Sequence, residues 1–87
     1  MARPLHRPEA SIRASLLRRT TIGTPKQDVE AFIKEEGWSS SPNENGDIWT
    51  YFGRYGLLSD CRVSGLWMFD KNGLLIDILV ERRINSL

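Results

Sequence analysis

Cys61-Arg62-Val63-Ser64-Gly65-Leu66-Trp67-Met68-Phe69-Asp70-Lys71-Asn72-Gly73-Leu74-Leu75-Ile76-Asp77-Ile78-Leu79-Val80-Glu81-Arg82 is the stretch on which the fold turns. Both halves are rich in β-branched, aromatic and long apolar residues, and Asp-Lys-Asn-Gly between them is turn chemistry, so the stretch reads as a β-hairpin over 61–69 and 74–82. In the first strand Cys61, Val63, Trp67 and Phe69 share one face, and Arg62, Ser64, Leu66 and Met68 the other. In the second, Leu74, Ile76, Ile78 and Val80 alternate with Leu75, Asp77, Leu79 and Glu81. Two registers fit. A two-residue Asn72-Gly73 turn pairs Lys71 with Leu74 and sets Val63, Trp67 and Phe69 beside Ile76, Ile78 and Val80. A three-residue loop with Gly73 as a bulge pairs Asp70 with Leu74 and groups Trp67 and Phe69 with Leu75 and Leu79. In either case both faces are apolar, whereas a one-sided antiparallel sheet alternates apolar inward and polar outward.

Upstream, residues 48–55 form a further strand, with Trp49, Tyr51 and Tyr55 on one parity and Ile48, Thr50 and Phe52 on the other; Gly53 and Gly56 mark a bulge and the strand's end. Residues 39–46, Ser-Ser-Ser-Pro-Asn-Glu-Asn-Gly, are a loop by composition. Before them, Thr24-Pro25-Lys26-Gln27 is a capping box, with the Thr24 hydroxyl accepting from the Gln27 N–H and Pro25 at the first helical position. Val29, Phe32 and Ile33 repeat at helical spacing, and Gly37 suits a left-handed C-terminal cap with Trp38 folding back, which predicts a helix over 25–36. An amphipathic helix is expected over 9–20 from Ile12, Leu16 and Leu17, with arginines in its last turn matching the helix dipole. The expected fold is α+β: two helices on one side of a three-stranded antiparallel meander, α-α-β-β-β. Residues 1–8 form a flexible basic arm and 9–87 one domain.

Eighty-seven residues, 40% hydrophobic and 26% charged, are a single soluble-type domain. The longest apolar runs are too short to cross a bilayer as a helix. The net charge of +1 conceals an asymmetry. Residues 1–20 carry five arginines (Arg3, Arg7, Arg13, Arg18, Arg19) against Glu9, a balance of +4, while the remainder carries seven basic against ten acidic residues, −3. Those five arginines are the candidate contacts for an anionic surface, such as lipid headgroups at the N-terminal arm. The start has no apolar signal core, so the chain is either cytoplasmic or begins after a removed signal or anchor.

Chemistry is sparse. One cysteine excludes an internal disulfide framework, one histidine, His6, removes most histidine-based catalysis, and no set of residues has metal-ligand spacing, so neither metal nor cofactor is expected. Cys61 sits on an apolar strand without a histidine to activate it and reads as a buried thiol. Asp77 and Glu81 share a strand face about 13 Å apart, beyond the reach of a carboxylate pair. No catalytic residue and no small-molecule substrate is expected, and the chain reads as a non-enzyme. Aromatics on the 48–55 strand with Arg54, Arg62, Arg82 and Arg83 nearby resemble single-strand-binding hardware, but no RNP-like signature appears and the body is acidic overall, so nucleic acid is the alternative partner rather than the first.

Ile22-Gly23-Thr24-Pro25-Lys26-Gln27-Asp28-Val29, then Gly37-Trp38, a Trp/Tyr-rich strand and Leu66-Trp67-Met68-Phe69-Asp70-Lys71-Asn72-Gly73-Leu74-Leu75 resemble the SmpA/OmlA (BamE) family of small bacterial envelope proteins. They are similar also to the β-lactamase-inhibitor protein half-domain. The resemblance covers about residues 22–78. It implies an α-α-β-β-β layer used for protein–protein binding at the periplasmic side of the cell envelope, without enzymatic activity. The chain lacks a lipobox cysteine near its start, and Thr24 stands where those lipoproteins usually have Met. Residues and resemblance together predict a binding module for another protein or a second copy of itself. The predicted surface is the helix-free sheet face: Trp49, Tyr51 and Tyr55 at its side, Leu66, Met68, Leu75 and Leu79 across it.

Overall fold

The computed structural model describes residues 8–55 and 59–86, with the side chains of Tyr55, Ser59, Asp60, Asn85 and Ser86 outside the description. Two helices, α1 (Glu9–Arg19) and α2 (Lys26–Glu36), precede four strands, β1 (Ser39–Pro42), β2 (Ile48–Tyr55), β3 (Ser59–Phe69) and β4 (Leu75–Ser86). The strands form one antiparallel sheet in the order β1-β2-β3-β4.

The three-stranded α-α-β-β-β layout is therefore corrected to two helices and four strands. The added strand is Ser39-Ser-Ser-Pro, which runs from Ser39 opposite Tyr51 to Pro42 opposite Ile48. Its side chains are all exposed, so it carries no apolar alternation. Backbone pairing and the tight turn that follows hold it in place: Asn43 N–H donates to Asp47 O at 2.9 Å, and the Asn43 side-chain oxygen accepts from Asn45 and Asp47 N–H. Pro42 lacks a donor and is tolerated because β1 is a short edge strand.

The capping box is corrected too. Thr24 N–H donates to Thr21 O at 3.0 Å, so it is not free to receive the Gln27 side chain, and the Thr24 hydroxyl donates to the same carbonyl at 2.6 Å and does not cap the helix. Pro25 is the N-cap rather than the first helical residue, so the helix starts one residue later than expected, with no side-chain cap bond. The connection uses its backbone on the sheet instead. Leu75 N–H donates to Thr24 O at 2.9 Å, Gly23 N–H to Leu75 O at 2.7 Å, and Lys26 N–H, one of the helix's orphan donors, to Gly73 O at 2.8 Å. These bonds cover the start of the open edge of β4. Farther along, Arg13 of α1 donates from Nε to Ile78 O at 3.0 Å. At the other end of α2, Gly37 takes the left-handed conformation at φ 78°, and Trp38 N–H returns to Ile33 O.

The hairpin adopts a three-residue loop and then changes register. Asp70 pairs with Leu74 through the Asp70 N–H to Leu74 O bond, and Phe69 lies opposite Leu75. A bulge then intervenes, so that Met68 faces Asp77 and Trp67 faces Ile78. Each of the two sequence-compatible groupings thus describes one end of the hairpin. The bulge lets Leu75, Ile78 and Val80 all be buried despite unequal spacing, while Ile76 stays 51% exposed.

The core lies between the helices and one sheet face: Ile12 and Leu16 from α1, Val29, Phe32 and Ile33 from α2, and Ile48, Val63, Trp67, Leu75, Ile78 and Val80 from the sheet. Trp67 is its largest fully buried side chain. Its indole N–H donates to the buried Thr50 hydroxyl at 3.0 Å, and its ring meets Phe32 edge-on at 6.1 Å. Phe52 packs edge-on to Trp38 at 4.7 Å and passes over Gly65, where an added Cβ would stand 2.7 Å from the ring.

Candidate functional site

Both helices occupy one face of the sheet, so the site is the other face, and strand register orders its side chains in rows. The first row is Trp49, Leu66 and Leu79 on β2, β3 and β4; the second is Tyr51, Ser64 and Glu81; the third is Arg54, Arg62 and Arg83. Met68, opposite Asp77, extends the apolar end. Trp49 is 41% and Leu79 46% exposed, with Tyr51, Leu66 and Met68 partly exposed between them. Trp49 and Tyr51 stand two apart on β2 and stack, ring centroids 6.4 Å apart and 21° from parallel. A groove of about 310 Å³ runs from this pair to the arginines, lined by Trp49, Tyr51, Arg62, Ser64, Glu81 and Arg83.

The third row depends on a second bulge. Tyr51 faces Ser64 and Gly53 faces Val63, leaving Phe52 as the inserted residue. Without that insertion Arg54 would come into register with the buried Cys61; with it, Arg54 stands opposite Arg62. Gly53 adopts φ 143°, a conformation that side chains rarely reach, at the point of the shift.

Sequence-expected site residues divide into four groups. Trp49, Tyr51, Leu66, Met68 and Leu79 come together on the helix-free face. Leu75 is corrected: the loop and bulge turn it to the helices, where it is 1% exposed. Tyr55 stands in register with the buried Cys61 rather than at a position of the helix-free face like Trp49 and Tyr51, and its side chain lies outside the described residues, as do Arg3 and Arg7. Of the other arginines proposed for an anionic surface, Arg13 is committed to Asp77 and the Ile78 carbonyl, and Arg19 lies over the Phe32 ring at 5.1 Å, while Arg18 is exposed. The Arg13 guanidinium, and after it the Ile78 N–H, holds the Asp77 carboxyl below its ordinary value of 3.8.

Sequence reading found the arginines but not their alignment, because the bulge that aligns them adds one residue and changes parity. Among the described residues, no three of His, Cys, Asp and Glu gather in a way that could hold a metal, and no helix is long and apolar enough to cross a membrane. Cys61 is buried on the core side of β3.

No protein-family model, curated protein or solved structure matches this chain. The site must therefore be read from its own geometry. A second, larger cleft of about 640 Å³ opens between α2 and β1, lined by Lys26, Glu30, Lys34 and Trp38 among others. Its Lys26 ammonium is bound to Gly46 O and lies over the Phe69 ring at 5.6 Å, so that cation already serves the fold. The sheet face is the better candidate, since its apolar and charged side chains converge without an intramolecular cover among the described residues.

Proposed function

We propose that the protein is a non-enzymatic recognition module that binds another protein through the helix-free face of its sheet. The observation that supports this is the register row Trp49–Leu66–Leu79, in which apolar side chains from three strands meet water together. Half-exposed Trp and Leu side chains leave on the order of 200 Å² of apolar surface, and covering that area is worth roughly 5 kcal/mol. The area is modest for a monomer surface; the support lies in its arrangement, an unbroken row across three strands with an arginine row on the same face. The resemblance of the 22–29 and 66–75 segments to SmpA/OmlA (BamE) envelope proteins is the ground for setting this partner at a bacterial cell envelope.

A photo-crosslinking benzoylphenylalanine at Leu79, compared with the same group at Glu30 on the exposed side of α2, tests the reading in cells that make the protein. Discrete protein adducts at position 79 and none at 30 support it; equal labelling at both, or none at 79, contradicts it. The stacked Trp49–Tyr51 pair beside the arginine row favours a second reading, a single-stranded nucleic acid with bases on the rings and phosphates on the arginines.

A further inference from the structure

Three arginines on three adjacent strands fall in one register row, Arg54–Arg62–Arg83. Like charges directly opposite one another across a sheet destabilise it, and here a bulge with a glycine at φ 143° brings the third into line. All three are exposed. Among the described side chains of that face the acidic ones are Glu81, one row away, and Asp77, which Arg13 engages, while Asp60, whose side chain lies outside the description, stands on β3 one row beyond the arginines. The acidic balance of the body lies elsewhere: Asp28, Glu30, Glu35 and Glu36 are all on α2, which packs on the opposite side of the sheet. In its described side chains the helix-free face is thus locally cationic, within a stretch, residues 21–87, whose balance is −3.

We infer that the partner is an acidic segment of protein, with carboxylates that meet the Arg54–Arg62–Arg83 row and apolar side chains that cover Trp49, Leu66 and Leu79. This rests on the proposed function and specifies the partner's chemistry. The apolar row alone leaves little surplus once the translational, rotational and side-chain freedom lost on association is offset. Carboxylates next to the leucines would supply the remainder, because guanidinium–carboxylate bonds are charge-assisted and frequently bidentate. The width of the apolar rows, Leu66, Met68 and Leu79 beyond the stacked rings, favours protein over nucleic acid, which needs only the rings and cations.

The test uses three probes on the isotope-labelled full chain, followed by amide shifts in NMR. They are an eight-residue synthetic peptide with four glutamates and three leucines, its counterpart with glutamine at each glutamate, and octathymidylate. The glutamate peptide should bind about tenfold more tightly than its counterpart, one decade in Kd, with shifts on both the arginine and the Leu79 rows. The advantage should vanish in 0.5 M salt, where the Debye length is only about 4 Å, and in the double variant Arg54→Gln/Arg83→Gln. That variant should fold, with a thermal midpoint no lower than wild type at low salt, because the repulsion is relieved.

Equal affinity for the two peptides, lost in Leu79→Lys, overturns the inference and leaves the protein-binding reading in place. Octathymidylate binding more tightly than either peptide, with loss on Trp49→Ala, overturns both in favour of nucleic acid. No shift at the sheet face with any probe overturns the inference, and the crosslinking result then decides the broader reading.

Discussion

Replacing Thr50 by valine tests the interior on which the binding face is mounted. Thr50 and Trp67 are both fully buried, and the threonine hydroxyl accepts the indole N–H at 3.0 Å. Valine keeps the shape, removes the acceptor and leaves that N–H in an apolar core, a loss of about 1–3 kcal/mol. For a domain of this size each kcal/mol is about 4–8 °C in Tm, so a loss near the middle of the range lowers the midpoint by roughly 10–15 °C. Urea titration followed by circular dichroism should show a lower midpoint at unchanged m-value. In a double-mutant cycle with Trp67→Phe, the second change should cost about 1 kcal/mol less in the Thr50→Val background, since the hydrogen bond is already gone. Thr50→Val within about 0.3 kcal/mol of wild type, with no coupling to Trp67, would refute the claim that this bond satisfies the buried indole.

Other expectations follow from single contacts. Gly65→Ala sets a Cβ 2.7 Å from the Phe52 ring, which Trp38 confines, and should destabilise by about 1–3 kcal/mol in the same urea assay. Part of that loss should return when Phe52→Leu is added. Arg13 and the Ile78 N–H lower the Asp77 pKa, so the pair's stabilisation is present above the unfolded carboxylate value of 3.8 and lost as pH falls through the lower folded value. Asp77→Asn should therefore be less stable than wild type at pH 7, by under about 1 kcal/mol because both side chains are nearly half exposed, and the difference should close under strongly acid conditions. A persistent difference at pH 2 would mean that charge is not its source.

Much of the fold was legible in residues that act locally or by periodicity. Val29, Phe32 and Ile33 place α2 on the core, Gly37 ends it, and Asp70 to Gly73 turn the hairpin. The fourth strand was not legible, because Ser39-Ser-Ser-Pro is held through backbone bonds to β2 that leave no mark on side-chain choice. The capping box failed for a related reason: the Thr24 backbone and hydroxyl are engaged within the Thr21–Thr24 turn and at the edge of β4, a tertiary commitment that no four-residue motif encodes. Both parity errors trace to bulges. The one opposite Met68 sends Leu75 into the core, and the one at Phe52 separates Tyr55 from Trp49 and Tyr51. Gly53 hinted at the second; nothing in Leu-Leu-Ile-Asp-Ile hinted at the first. The five residues that do meet on the free face lie between the bulges or on the unshifted strand, where simple alternation survives.

The account depends on that face being open to water in the free protein. Methyl relaxation by a soluble gadolinium chelate measures this directly on the full chain, with the Leu79, Leu66 and Met68 methyls set against those of Leu75, Val63 and Ile78. Strong relaxation of Leu79, intermediate relaxation of Leu66 and Met68, and none at Leu75, Val63 and Ile78 is the predicted pattern. Leu79 shielded as well as Leu75, or Leu75 relaxing as fast as Leu79, would contradict it.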